Sequence, residues 1–329
     1  MLNRFLTCLQ LAAIVLTLTG SSAVMAQSKK GAPEKSTKQT DKKSATKKKK
    51  TPPPFKWVNP LSEGQKHKGL HHKTFVSPSM EHEVGYCIYL PPQYNKTKSS
   101  GKRFPVVYYL HGGRPGSETK SVKLVPHIHK AMASKKVAPA IYVFVNGGKM
   151  SHYNHPESNS QGEDVFVKEL IPHVDATYRT IANRTARGVE GFSQGGRGTA
   201  RIMFRHPDLF ISAAPGGGGH EAEKRISEED GYESPNLRFA PGYNTWDTAR
   251  VYAKSPNPKL NILVYVGSKG FNYENNLQWM EHLKSLDIPH DHIIIDDAPH
   301  SATIIYGKNG LDIMQFHAKN FADAVKGQK

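Results

Sequence analysis

The stretch GVEGFSQGGRG sets Ser193 between Gly191 and Gly195, with an apolar run (186–192) leading in and a helix-compatible run (195–205) leading out. In a strand-turn-helix of this kind the flanking glycines relieve crowding at a strained turn and leave the serine hydroxyl exposed. A hydroxyl becomes a useful nucleophile only when a base takes its proton, and acyl transfer also needs donors for the oxyanion. After the apolar run FPVVYYL comes HGG, His111 to Gly113, a tight turn able to aim the backbone N–H of Gly113 at a substrate oxygen. The backbone N–H of Gln194, next after the serine, is the expected second donor. The base is expected last in the chain, on the loop after the final strand, where IIIDDAPHSA places His300. His111 reads as structural, and His317, inside the closing helix, as a surface residue.

These residues need elements to hold them. From residue 57 onward extended runs alternate with helical ones, the pattern of an α/β fold with a mainly parallel sheet and helices on both faces. The strand candidates are near-continuous apolar runs at 104–110, 140–145, 186–192, 211–215, 261–266 and 292–296. Runs around 72–76 and 83–90 read as an antiparallel entry to the sheet. A helix is expected from SQGE, where Ser160 and Glu163 have capping-box spacing. Phe166, Leu170, Val174 and Tyr178 then form one apolar stripe. Other helices are expected after Gly195, after Tyr273, and from about 310 to 325. Residues 216–247 fit neither element type and read as a substrate-covering loop, with Tyr153, Tyr243 and Trp246 as candidate aromatic walls.

Over 70–321 the chain resembles the esterase family of the α/β-hydrolase superfamily that includes feruloyl and acetylxylan esterases, esterase D and the mycolyltransferases. The matching stretches are IYLPPQY (88–94), FPVVYYLHGG (104–113), ELIPHVDATYRT (169–180), GFSQGG (191–196) and APHS (298–301). The resemblance implies carboxylic-ester hydrolysis through an acyl-enzyme with no metal or organic cofactor. By position, Ser193 is the nucleophile, His300 the base, and the backbones of Gly113 and Gln194 the oxyanion donors. Small esters or acylated polysaccharides are the implied substrates. Acyl transfer on the same fold, or glycan binding without turnover, are the competing readings. Family members place an Asp directly after the strand matching NILVYVGSK, and here Gly270 stands there. Glu274 is the leading substitute, one helical turn on if a helix begins near Gly270. Asp297, Asp296 and Asn272, or no third member at all, are the alternatives.

The ends of the chain carry most of its charge. Residues 1–26 have a basic start at Arg4, an apolar stretch and a small-residue ending, and read as a cleaved secretory signal peptide. Residues 27–56 hold eleven Lys against Glu34 and Asp41, +9 of the chain's +17, with almost no apolar side chain. They read as a disordered linker able to touch anionic polymer, ahead of an esterase domain at 57–329. Specific nucleic-acid binding is not expected, and once the signal is removed neither is a membrane span. Cys87 is then the one cysteine left, which excludes an intramolecular disulfide, and it reads as a buried apolar residue. The pairs His71 and His72, and His127 and His129, are not expected to bind metal.

Overall fold

The computed structural model describes residues 54–96 and 100–326. The signal peptide and all but the last three residues of the Lys-rich linker lie outside them. Eight strands form one sheet: β1 (Leu70–Ser77), β2 (His82–Tyr89), β3 (Val106–Leu110), β4 (Ile141–Val145), β5 (Arg187–Phe192), β6 (Ser212–Gly216), β7 (Asn261–Lys269) and β8 (Asp291–Pro299). Their spatial order is β1-β2-β4-β3-β5-β6-β7-β8. The β1-β2 and β2-β4 pairs are antiparallel and all the others parallel.

Strands covered on both faces read as near-continuous apolar runs. Every residue of β3 and β4 is accordingly buried, and alternate residues enter opposite cores. Val106, Tyr108, Leu110, Ile141, Val143 and Val145 belong to one cluster, while Val107, Tyr109, Tyr142 and Phe144 belong to the other.

The helices are α1 (Val125–Ala133), α2 (the successive pieces Gly162–Asp164, Val165–Leu170 in π geometry, and Ile171–Thr177), α3 (Gln194–Arg205), α4 (His220–Glu228), α5 (Thr245–Ala253), α6 (Tyr273–Ser285) and α7 (Ala302–Lys326). α1 and α7 cover one face with Ile128, Met132, Ile305 and Ile313. α2, α3, α5 and α6 cover the other with Phe166, Val174, Ile202, Trp246, Trp279 and Leu283.

Four expectations are corrected. Ser160 and Glu163 form no capping box. Ser160 lies in a two-stranded ribbon with Asn154–His155, and Asn154 Oδ1 accepts the N–H groups of Glu163 (3.1 Å) and Asp164 (3.0 Å) instead. Residues 216–247 are not a structureless loop: they contain α4, a ribbon pairing Tyr232–Ser234 with Leu237–Arg238, and the Asn244 cap of α5. Tyr153, Tyr243 and Trp246 are buried packing residues of that region. His317 is no surface residue, because α7 begins at Ala302 and lies against β5 and β6, where His317 Nδ1 meets Ser212 Oγ at 2.7 Å. Gly188 permits that approach, since a Cβ there would lie 2.7 Å from His317 Nδ1.

Candidate active site

The turn between β5 and α3 places Ser193 at φ 63° and ψ −117°, a backbone conformation that side chains disfavour. It is possible only because its neighbours carry no Cβ: one at Gly195 would lie 2.0 Å from the Leu110 carbonyl oxygen, and one at Gly191 2.5 Å from that of Gly195. His300, following β8, presents Nε2 to Ser193 Oγ at 2.8 Å. Its ring lies between Phe192 and Phe271, with centroids 4.7 and 4.1 Å away. Burial lowers its pKa below the ordinary 6.5, so the imidazole is neutral and basic at pH 7.

The third position is held by Asn272, whose Oδ1 lies 3.0 Å from His300 Nδ1. Its Nδ2 donates to the Gly217 carbonyl on the loop after β6. A carbonyl oxygen only accepts, so it must face the amide NH2, which turns Oδ1 toward His300. Oδ1 also only accepts, so Nδ1 carries the proton and Nε2 keeps its lone pair for the serine. Asn276, one turn further along α6, donates to the carbonyls of Gly218 (2.9 Å) and Asn272 (2.7 Å), binding the same two loops together.

Glu274 does not reach His300. α6 begins at Tyr273 rather than near Gly270, so Asn272 and Asn276 face inward while position 274, two residues from each, is turned away by about 200°. Its side chain is exposed. Asp297 pairs with Lys269 at 2.6 Å in solvent, and Asp296 is exposed too. At Gly270 a Cβ would begin 3.6 Å from Asn272 Oδ1, so the amide fills the space a side chain there would enter.

The HGG turn touches Ser193: a Cβ on Gly112 would lie 3.3 Å from that of Ser193. Gly113 has φ +69°, and its carbonyl accepts the Ser151 hydroxyl at 2.8 Å. Gln194 is the first residue of α3, so its N–H has no partner within the helix. His111 is buried and structural. Its Nε2 accepts the Gly147 N–H at 3.1 Å, and burial, with the Lys120 charge adding to it, lowers its pKa to about 3. The open cleft beside Ser193, about 360 Å³, is lined by Gln194, Glu221, Arg225, Phe271 and Asn275 among others. Phe271, 83% exposed, is the cleft's aromatic side chain. The sequence reading missed it, although an aromatic residue directly after Gly270 was the available signal. Among the described residues no group of three or more His, Cys, Asp or Glu could hold a metal ion, and no helix is long and apolar enough to cross a membrane.

The family model described as "Putative esterase" matches residues 77–285, more than half of the chain. The chain belongs to this esterase family. An esterase of Mycobacterium tuberculosis is 28% identical over 207 residues, covering 58% of this chain and 43% of its own length. An endo-1,4-beta-xylanase/feruloyl esterase of Xylanibacter ruminicola is 30% identical over 154 residues, 44% of this chain and 21% of the relative. This family member therefore spans less than half the length of either relative. Among solved structures, a ferulic acid esterase superposes with a TM-score of 0.62 at 19% identity, over 77% of this chain and 98% of its own, which shows the shared α/β-hydrolase fold.

Proposed function

We propose that the protein is a serine carboxylic-ester hydrolase that works through an acyl-enzyme on Ser193. The observation that carries this reading is the 2.8 Å contact between Ser193 Oγ and His300 Nε2 at a strained, glycine-flanked turn. Ser193 Oγ attacks the ester carbonyl while His300 Nε2 takes its proton, and the developing oxyanion is met by the N–H groups of Gly113 and Gln194. Collapse expels the alcohol, which receives the proton from Nε2, and a water activated by the same nitrogen releases the acid. Asn272 holds the tautomer throughout. The acetyl or feruloyl esters of polysaccharides are the proposed substrates, supported by the xylanase and feruloyl esterase relatives and by Phe271, an exposed ring beside the nitrogen that protonates the leaving alcohol. Export by the residue 1–26 signal is part of this reading.

The test is steady-state hydrolysis of p-nitrophenyl acetate by the mature protein and by Ser193→Ala. Loss of at least about a thousandfold in kcat is expected in the variant. Equal turnover by the two proteins would reject the serine mechanism, and binding to acylated glycans without turnover would then be the function to measure.

A further inference from the structure

Behind the cleft lies a buried ionic cluster assembled from three distant parts of the chain. Arg114 directly follows Gly113, the first oxyanion donor, and Arg197 is three residues after Gln194, the second. Between them stands Glu233, on the ribbon of the segment inserted after β6. Glu233 Oε2 accepts from Arg114 Nη1 at 2.6 Å, and Oε1 accepts from Arg197 Nη2. Arg197 is itself fixed by Glu223 Oε1 at 3.0 Å and the Tyr153 hydroxyl at 3.1 Å. The side chains of Glu233 and Arg197 are 8% and 7% exposed and that of Arg114 23%, so little solvent screens the Arg197 contact and more reaches the Arg114 contact.

We propose that Glu233 is a positioning residue for the oxyanion hole, clasping the HGG turn to the N-terminus of α3 and thereby setting the separation of the two backbone donors. Each donor belongs to a different element: Gly113 to the loop after β3, and Gln194 to the helix after β5. The β3-β5 ladder ends at Leu110 and Gly191, so no ladder hydrogen bond registers the donors themselves. The carboxylate reaches both elements at once, with one oxygen for each guanidinium. An oxyanion hole works because its donors are placed before the charge develops, and displacement by about 1 Å costs on the order of a hundredfold in rate. The inserted segment thus reaches the reaction through Glu233 without touching the substrate at that residue. The expected signature is a loss in the transition state, not in substrate binding.

The inference rests on the serine-hydrolase reading. The experiment uses Glu233→Gln, which preserves size but turns an NH2 toward a guanidinium and so breaks one arm. With p-nitrophenyl acetate, well below the Tm of each protein, kcat is expected to fall by at least about tenfold with KM within about twofold. Affinity for a trifluoromethyl ketone, whose adduct with Ser193 places an oxyanion in the same hole, should fall by the same factor as kcat/KM. Arg114→Gln should behave alike, and the double variant should lose little more than either single one. Wild-type kcat and inhibitor affinity in a folded Glu233→Gln protein would overturn the clasp, as would a kcat loss that merely follows the folded fraction. Absence of Ser193-dependent turnover in the wild type would instead remove the serine-hydrolase reading itself.

Discussion

An amide behind His300 in place of a carboxylate changes the electrostatics of the reaction while leaving its geometry intact. A carboxylate orients the imidazole and also stabilises the imidazolium formed as the serine is deprotonated. Asn272 supplies the orientation, because the Gly217 carbonyl selects its rotamer, but contributes only a dipole toward the charge. Asn272→Asp tests this directly. The new carboxylate beside Nδ1 should raise the pKa of His300, moving the acid limb of kcat/KM upward from its wild-type position below 6.5. Its second oxygen would oppose the Gly217 carbonyl, acceptor against acceptor, so Tm should fall in the same variant. Superimposable pH profiles would show that residue 272 does not face the imidazole. Glu274→Gln, as the control in the same assay, should turn over like wild type.

The sheet and α7 meet at a second group of titratable side chains, away from the cleft. Glu190 on β5 is fully buried, accepting from the hydroxyls of Tyr306 (2.6 Å) and Tyr265 (3.2 Å), with His317 Nε2 at 3.7 Å. Burial raises the Glu190 pKa from 4.5 to about 8, against the lowering effect of the two tyrosines, and burial lowers that of His317 to about 3. At pH 7 both are therefore neutral, and their contact is not an ion pair. A raised carboxyl pKa means that the unfolded chain ionises first: this contribution to stability is complete below about pH 4.5 and is lost as pH rises toward about 8. Glu190→Gln removes the titration, so its Tm relative to wild type should rise across that window. Parallel Tm curves for the two proteins would show that Glu190 is not held protonated. The same scale explains the missed capping box: Ser160 is drawn into pairing with His155, and Asn154 caps α2 from the neighbouring strand of the ribbon.

For the molecule as a whole the charge is divided unevenly, with +9 of the +17 in residues 27–56. A dense run of Lys attracts anionic polymer through screened Coulomb forces, and the attraction decays over about 10 Å at 0.1 M salt. We propose that this run retains the enzyme on anionic polysaccharide. Deleting residues 27–53, which spares the Phe55 and Lys56 contacts with the domain, should leave kcat/KM for p-nitrophenyl acetate unchanged and reduce retention on a polygalacturonate column at low salt. Equal retention of the two proteins would end that proposal.

The sequence by itself determined what depends on neighbours along the chain. The serine between glycines at a strand-to-helix turn, the HGG turn after an apolar strand, and His300 after the last strand all follow from backbone sterics and local periodicity, and so does the mainly parallel sheet. Tertiary structure decided what depends on which side chains meet across elements. Asn272 rather than Glu274 faces His300 because α6 starts at Tyr273 and each residue turns the helix by about 100°. His317 is buried because α7 crosses β5 and β6, and Glu233 joins residues 119 and 36 positions away. A linear pattern carries no information about such register, since opposing side chains are selected by packing geometry and by the hydrogen bonds that burial makes costly to leave unmade.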